Sequence, residues 1–231
     1  MIKLEHTDVY GFEAAIRGMR NPMNSWDKSD GGYVDCENYE GVACKSECPY
    51  GHYCIESPYW HYNIGENDLA LMRKLAHAGD DHGKFARFIN VAVDITAPTY
   101  WWLEFDTYKV GTVSNSCSKM HKIHEKEFSV DDFSHEHLDK YPMELLSETI
   151  RVLNVARREF LETKDKKYWW YLIQLLPMSY NQRRTVQLNY QVLNRIYNAR
   201  KNHKLDEWHE FCDWVEKLPY FKEIYLGGED D

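Results

Sequence analysis

The sequence predicts an α+β domain, because two segments carry helical spacing and a third carries the pattern of a buried strand. Residues 142–163 are strongly amphipathic, with apolar side chains along one face. Residues 65–79 repeat apolar side chains at helical spacing between Asn67, a candidate N-cap, and Gly79, a candidate C-terminal cap. Residues 88–95 are rich in β-branched side chains and partly alternate, which is typical of a core strand.

The remaining elements are predicted from the same two periods and from the positions of chain breakers. In chain order they are an entry strand and a short helix within residues 1–25, a helix over 102–108, a polar His-rich loop over 119–141, an aromatic and apolar segment over 168–176 that stops at Pro177, a long helix over 185–202 and a last helix over 205–215.

Length and composition limit the classes of protein to consider. The chain has 231 residues and is 43% hydrophobic, so we expect a single domain over residues 1–231 with one sizeable core. Aromatic residues make up 15%, which suits large buried contacts, an oligomer interface or stacking on a flat ligand. The net charge is −9 and no basic tract occurs, which argues against binding duplex nucleic acid through its phosphates.

The sequence also predicts a cytoplasmic protein. No apolar run approaches the ~20 residues that a membrane-spanning helix needs. The first residues lack the apolar stretch of a signal peptide. A reducing compartment makes disulfide bonds among the six cysteines unexpected.

Residues 26–62 have the composition of a loop-rich insertion that contains four cysteines, Cys36, Cys44, Cys48 and Cys54. Four thiolates can hold a tetrahedral zinc ion or an iron–sulfur cluster. Their spacing, C-x7-C-x3-C-x5-C, matches neither the C-x2-C knuckle nor the common ferredoxin patterns. A structural zinc is the prediction, and four free thiols in a surface loop are the alternative.

Residues 98–118 change from bulky aromatic to short polar side chains, which suits a site for a flat or anionic ligand. From this segment alone, however, the favoured interpretation is a buried helix end followed by an ordinary Ser/Asn loop. Cys117 and His121 have the spacing of a nucleophile and base, but nothing in the sequence supplies a third group to orient the base. The sequence contains no Walker loop, no dinucleotide-binding glycine fingerprint and no nucleophile elbow.

Two separated blocks within residues 64–216 resemble the flavin-dependent thymidylate synthases. In the first block, residues 82–85 resemble the family's His-x-x-Pro-Phe-Glu-His turn, and residues 91–98 resemble its strand that ends in a proline. The C-terminal block keeps the order and spacing of the family's Leu-Pro, Thr, Asn-Leu-Arg-Ser-Leu and Leu-Arg signature, followed by the start of its Ala-Gln-x-Glu-Ile helix. The matching residues are Leu176, Pro177, Thr185, Asn189, Leu193 and Arg200, then His203, Glu207 and Trp208.

Residues 98–118 then fall on the flavin and nucleotide motif of that family. The motif consists of Arg-His-Arg, two residues, Ser, one residue, Asn-Glu, one residue, Ser, one residue and Arg. Aligned from Pro98, residues 107–109 (Thr-Tyr-Lys) stand at Arg-His-Arg. Asn115 and Ser118 stand at the Asn and the second Ser, with one extra residue between residue 109 and Asn115.

Several positions depart from the family's pattern. The motif's Glu appears as Ser116 and its final Arg as Met120, and the family's Arg before its Leu-Pro appears as Ile173. Both missing arginines would bind or polarise a deoxyuridine nucleotide, and losing a charged partner costs ~1.5–3 kcal/mol per hydrogen bond. The family's Gln in the preceding helix appears as Glu104, which only accepts hydrogen bonds when ionised. A carboxylate there disfavours a uracil carbonyl and favours a base that presents an amine.

The resemblance implies a mixed sheet packed by helices and a homotetramer whose flavin sites lie between subunits. In the family, reduced FAD mediates the transfer of a one-carbon unit from methylenetetrahydrofolate to dUMP, NADPH is the reductant, and no enzyme nucleophile attacks the base. Carried over residue by residue, the resemblance assigns FAD binding to His82, Tyr108, Lys109, Asn115, Asn189, Arg195 and His203, substrate binding to Glu104, Ser116, Ser118 and Arg200, and catalysis to Arg200 and Ser118.

Three functional hypotheses follow from the sequence. The first is flavin-dependent one-carbon transfer to a pyrimidine deoxynucleotide. The second is a module on the same scaffold that binds a nucleotide or flavin without turnover. The third is a zinc-stapled interaction protein in which the cysteine-containing insertion is the functional part.

Overall fold

A computed structural model of the chain describes residues 2–35 and 60–227. In chain order the strands and α helices are β1 Lys3–Tyr10, α1 Phe12–Arg20, β2 Gly32–Asp35, β3 Trp60–Asn63, α2 Glu66–His77, β4 Asn90–Pro98, α3 Thr99–Phe105, β5 Val113–Ser116, α4 Lys140–Thr163, α5 Lys166–Leu175, β6 Asn181–Asn189, α6 Tyr190–Arg200, α7 Asp206–Glu216 and α8 Phe221–Tyr225. This mixture confirms the predicted α+β class. Within the described ranges, none of the helices has the length and apolarity required to cross a membrane.

The strands form two sheets. One has four strands in the order β1-β4-β6-β5, and the other is the antiparallel pair of β2 and β3. The chain divides into two compact units. The first unit consists mainly of Asp94–Thr107 and Ser114–Thr185, and the second of Glu5–Val93, Tyr108–Val113 and the chain from Val186 onward.

The first unit is built on the helix pair α4 and α5. The amphipathic pattern at 142–163 correctly predicts α4, whose buried face includes Ile150 and Leu153. These side chains pack with Leu172 of α5 and with phenylalanines from the segment before α4. In α3, Trp101 and Trp102 are fully buried. The aromatic run at the start of 98–118 is therefore core.

The second unit has an aromatic core around the first residue of α6, Tyr190, which is fully buried. Its ring meets Phe12 of α1 edge-on at 5.9 Å and Phe221 of α8 at 5.6 Å between centroids. The phenol hydroxyl donates to the Pro219 carbonyl at 2.6 Å, so the only polar atom of this side chain is satisfied.

The predicted helix over 185–202 is wrong in its first part, because Asn181–Asn189 is strand β6 and the helix begins at Tyr190. Val186 also fits the apolar spacing of the following helix, which is why the sequence pattern favours one long helix. In the structure, burial along β6 alternates with period two, and Val186 and Leu188 are buried. The predicted 102–108 helix is shifted as well, since α3 ends at Phe105.

Helix α2 is capped by a residue from outside the helix. Asn67 was predicted as the N-cap, but the helix begins at Glu66. The Asp30 carboxylate instead accepts hydrogen bonds from the backbone amides of Asn67 at 2.8 Å and Asp68 at 3.0 Å. Burial raises the pKa of Asp30, but these amide bonds outweigh it and lower the pKa overall.

A buried ion pair fixes the loop that carries this cap. The Arg20 guanidinium contacts Asp68 Oδ1 at 2.6 Å, and the two side chains are 4% and 0% exposed. Asp68 Oδ2 accepts from Ser29 Oγ at 2.8 Å and from the backbone amides of Asp30 and Gly31 at 3.1 and 3.0 Å. One carboxylate therefore joins α1, α2 and the loop between α1 and β2.

We predict that Asp68→Asn lowers the free energy of unfolding by ~3–5 kcal/mol, because it leaves the Arg20 charge buried without a counter-ion. Arg151→Gln is the matched control, since its salt bridge with Glu148 has side chains 64% and 54% exposed. That control should cost less than ~1 kcal/mol. Urea denaturation followed by circular dichroism measures both, and equal losses would contradict the structural role given to Asp68.

Candidate functional site

The C-terminal end of α6 brings together Arg200, Tyr108, His203 and Trp208, which we name the Arg200 platform. Arg200 Nε donates to the Tyr108 hydroxyl at 2.8 Å. The guanidinium carbon lies 4.8 Å from the Trp208 ring centroid and 5.5 Å from that of Tyr108, within the range of cation–π attraction. The residues come from three parts of the chain: the segment after α3, the end of α6 with the turn that follows it, and the first turn of α7.

Packing holds the platform in place. Trp208 is fully buried, so packing fixes the position of its ring. The His203 ring meets it edge-on at 6.3 Å between centroids, and His203 Nδ1 accepts a hydrogen bond from the Leu205 backbone amide at 3.2 Å. That bond and the ring contact orient the His203 side chain. The next residue after Tyr108, Lys109, is exposed and adds a second positive charge.

The turn after Lys109 passes close to the start of α6. Gly111 has φ +78°, and a Cβ atom there would lie 3.0 Å from Val192 Cγ2 and 3.1 Å from Asn189 Nδ2. Asn189 is 8% exposed, and its Oδ1 accepts from the Val192 amide at 3.1 Å, so it caps α6. The predicted flavin ligand Asn189 thus has a structural bond through its oxygen.

Thr112 is a candidate site residue that the sequence analysis did not single out. Its Oγ1 is buried and has no hydrogen-bond partner within the described residues. By the alignment from Pro98, Thr112 stands at the first Ser of the flavin and nucleotide motif, because it follows residues 107–109 after two positions. A buried hydroxyl without a partner is costly unless a ligand or water supplies one.

Arg195 and His82 belong to a different cluster of the same unit. Arg195 pairs with Asp80, and Gln191 Nε2 donates to the Asp80 carbonyl at 3.1 Å. These contacts attach the turn that contains His82, whose side chain is exposed, to one face of α6. Gln191 and Arg200 are about half a turn apart around the helix axis, at 3.6 residues per turn. The structure therefore separates these predicted cofactor ligands from the platform.

The other predicted residues lie in the first unit. Asn115 and Ser116 are exposed on β5, a strand where the sequence predicted a loop. Ser118 is exposed, and its Oγ accepts from the His121 backbone amide at 3.0 Å. Glu104 is half-buried in α3.

The two positions that replace family arginines take part in ordinary packing. Met120 is 48% exposed, and its carbonyl accepts a hydrogen bond from Trp169 Nε1 at 2.9 Å. Ile173 packs against the hydrophobic cluster of α4 and α5. Neither position supplies a positive charge.

The predicted zinc site cannot be placed in the structure, because Cys36, Cys44, Cys48 and Cys54 lie outside the described residues. Among residues 2–35 and 60–227, no group of three or more His, Cys, Asp or Glu side chains is arranged to hold a metal ion.

The fold is similar to that of solved thymidylate synthases. One is the flavin-dependent thymidylate synthase ThyX from Helicobacter pylori complexed with FAD and dUMP, with TM-score 0.62, 14% sequence identity, and coverage of 98% of this chain and 97% of that chain. A second structure of Helicobacter pylori ThyX with FAD and dUMP has TM-score 0.63 and 14% identity, covering 98% and 96%. No protein-family model matches the sequence, and no curated protein matches it significantly. The resemblance is thus shown at the level of the fold.

We predict that Gly111→Ala destabilises the protein more than Gly79→Ala does. Both glycines have positive φ, but a Cβ at Gly79 meets nothing within 4 Å, whereas one at Gly111 meets Val192 and Asn189. Backbone strain alone should cost ~1–2 kcal/mol at either position, and the contact at Gly111 adds to it. Chemical denaturation of the two variants measures the difference, and an equal or smaller loss for Gly111→Ala would refute the close approach of this turn to α6.

Proposed function

We propose that the protein is a flavin-dependent thymidylate synthase-like enzyme that binds FAD and a pyrimidine deoxynucleotide and transfers a one-carbon unit to the base. The observation that carries the proposal is the fold similarity, over nearly the whole chain, to a thymidylate synthase complexed with FAD and dUMP. Methylenetetrahydrofolate as the one-carbon donor and NADPH as the reductant belong to the proposal.

The chain's own residues fit a flavin at the Arg200 platform. A flavin nucleotide presents a flat ring system, ribose hydroxyls and phosphates. The platform offers the partly exposed ring of Tyr108 and the charges of Arg200 and Lys109. The Thr112 hydroxyl, three residues further along the chain than Lys109, is buried and has no partner among the described residues. Aromatic surface beside two cations suits a ligand that is both planar and anionic.

In the proposed reaction, bound reduced flavin supplies the reducing chemistry for the one-carbon transfer. Arg200 is pre-organised, because Tyr108 fixes Nε and the neighbouring rings restrict its rotation. A guanidinium held in this way can stabilise negative charge without reorganisation, which is how electrostatic catalysis lowers a barrier. The buried Trp208 excludes water behind it. Ser118 and the exposed residues of β5 would contact the nucleotide.

A homotetramer is part of the proposal. Apolar side chains in the segment beside the platform are exposed in the single chain, with Val110 at 84% and Val113 at 66%. Exposed apolar residues close to a functional segment are typical of surfaces that subunits cover.

The second candidate is a binding module without turnover, and a specific observation favours it. Met120 and Ile173 replace both family arginines, and Ile173 packs in a hydrophobic cluster. The protein could then bind a nucleotide but would lack the arginines that polarise it for the reaction. Tritium release from labelled dUMP with folate and NADPH distinguishes the candidates: the enzyme releases tritium above the rate of a reaction without protein, and the module binds without release.

We predict that Arg200→Gln weakens FAD binding ~10- to 100-fold, because it removes a charged donor worth ~1.5–3 kcal/mol. Arg17→Gln is the matched control, since Arg17 is 68% exposed and lies on α1. Titration of FAD followed by flavin fluorescence gives both dissociation constants. Equal affinities in the two variants would remove Arg200 from the flavin site.

We also predict that Glu104 selects a base that presents an amine. A carboxylate accepts from an amino group and repels a carbonyl, so the wild type should bind dCMP more tightly than dUMP. Glu104→Gln should reverse that preference, with a change in the ratio of ~10-fold or more. Competition between the two nucleotides measures the ratio, and the same ratio in both proteins would contradict the role of Glu104.

A further inference from the structure

The first unit contains a cluster of two cations and one carboxylate that the family's motifs do not include. Its members are Arg184, Lys119 and Asp106. Arg184 lies on β6, and its guanidinium carbon is 4.0 Å from the ring centroid of Trp102. Its side chain is only 13% exposed. Arg184 donates to Asp106 at 2.7 and 3.4 Å, and to Gln182 Oε1 at 3.2 and 3.3 Å.

Lys119 brings a second cation to the same place. Its Nζ donates to Thr99 Oγ1 at 3.4 Å, and the residue is half-buried. Burial lowers the pKa of Lys119, and the nearby charge of Arg184 lowers it further, while Asp106 opposes both more weakly. Two partly desolvated cations therefore lie near one carboxylate, which pairs directly with Arg184.

Arg184 is paired with Asp106, whereas the described residues give Lys119 no carboxylate within ion-pair distance, which favours the binding of an anion. Asp106 is 48% exposed and sits at the edge of the cluster, so it neutralises only one of the two charges. The remaining positive charge contrasts with the chain's net charge of −9. An entering anion would relieve the repulsion between Arg184 and Lys119, and little solvent would screen the interaction with the buried guanidinium.

The chemistry of the donors points to a phosphate group. Both terminal nitrogens of Arg184 donate to Asp106, so a phosphate would displace this carboxylate and present two oxygens to the same planar fork, while the Lys119 ammonium adds a point charge. The Trp102 ring fixes the guanidinium plane, and the Thr99 hydroxyl lies within reach of Lys119. Lys119 also directly precedes Met120, the position at which the family's motif has its final arginine.

We propose that Arg184 and Lys119 bind the phosphate group of the nucleotide and replace the charge that is missing at Met120 and Ile173. The inference that the phosphate belongs to a nucleotide rests on the proposed function, whereas the anion site itself rests on the geometry of the cluster.

Inorganic phosphate is the first probe, titrated into the full chain in low-salt buffer and followed by ³¹P NMR. Arg184→Gln and Lys119→Met should each weaken phosphate binding ~10-fold or more. Two variants are matched controls and should bind as the wild type does. Arg183→Gln alters the neighbouring residue of β6, which pairs with Asp94, and Lys122→Met removes an exposed lysine that pairs with Glu125.

A further variant, Asp106→Asn, separates a specific effect of Arg184→Gln on binding from an effect on folding. Asp106→Asn removes the competing carboxylate and should tighten phosphate binding severalfold, a gain that a damaged fold does not produce. Circular dichroism before each titration confirms that the variants are folded. Phosphate binding that is the same in Arg184→Gln and Arg183→Gln, or that Asp106→Asn leaves unchanged, would overturn the proposal.

Titration with dUMP and deoxyuridine separates this inference from the proposed function. If dUMP binds more tightly than deoxyuridine and Arg184→Gln abolishes that advantage, both are supported. If inorganic phosphate needs Arg184 and Lys119 but neither FAD nor dUMP binds, the anion site stands and the proposed function fails. If FAD and dUMP bind and the two cation variants match the wild type, the anion site fails alone.

Discussion

The junction between β6 and α6 is the constraint on which the candidate site depends. At Asn189 the chain changes from a period of two to a period of 3.6, and the Asn189 side chain caps the new helix through the Val192 amide. Tyr190 is locked at the same point, because its backbone amide donates to the Ile89 carbonyl at 3.0 Å and its ring is fully buried. With its first turn fixed in this way, α6 has a defined rotation, and that rotation decides where Arg200 points.

After this junction is fixed, the different faces of α6 and of β6 make different contacts. On α6, Arg195 holds the turn at Asp80, while Arg200 lies about half a helical turn from Gln191 and meets Tyr108. On β6, neighbouring residues point to opposite faces of the sheet, so Arg183 pairs with Asp94 while Arg184 stacks on a tryptophan. A slip of one residue in β6 would exchange the two arginines. The register of β6 therefore determines which arginine lies against the tryptophan ring.

Local patterns predicted the elements whose burial follows a single period, and they failed where the determining contact is distant in sequence. The helix over 142–163 was predicted because its apolar face is complete within the segment. Strand β6 was missed, since Val186 also fits the spacing of the helix that follows. The cap of α2 comes from Asp30, and no local signal links it to Asn67. The motif alignment places Tyr108 and Arg200, but only the fold brings Trp208 against Arg200.

The most direct test of the central claim, that this fold carries a flavin site at the Arg200 platform, is the visible absorption spectrum of the purified protein after incubation with FAD and removal of the free ligand. The predicted result is the pair of bands of oxidised flavin, with FAD released on denaturation. A colourless protein that FAD does not reconstitute, although it is folded by circular dichroism, would contradict the claim.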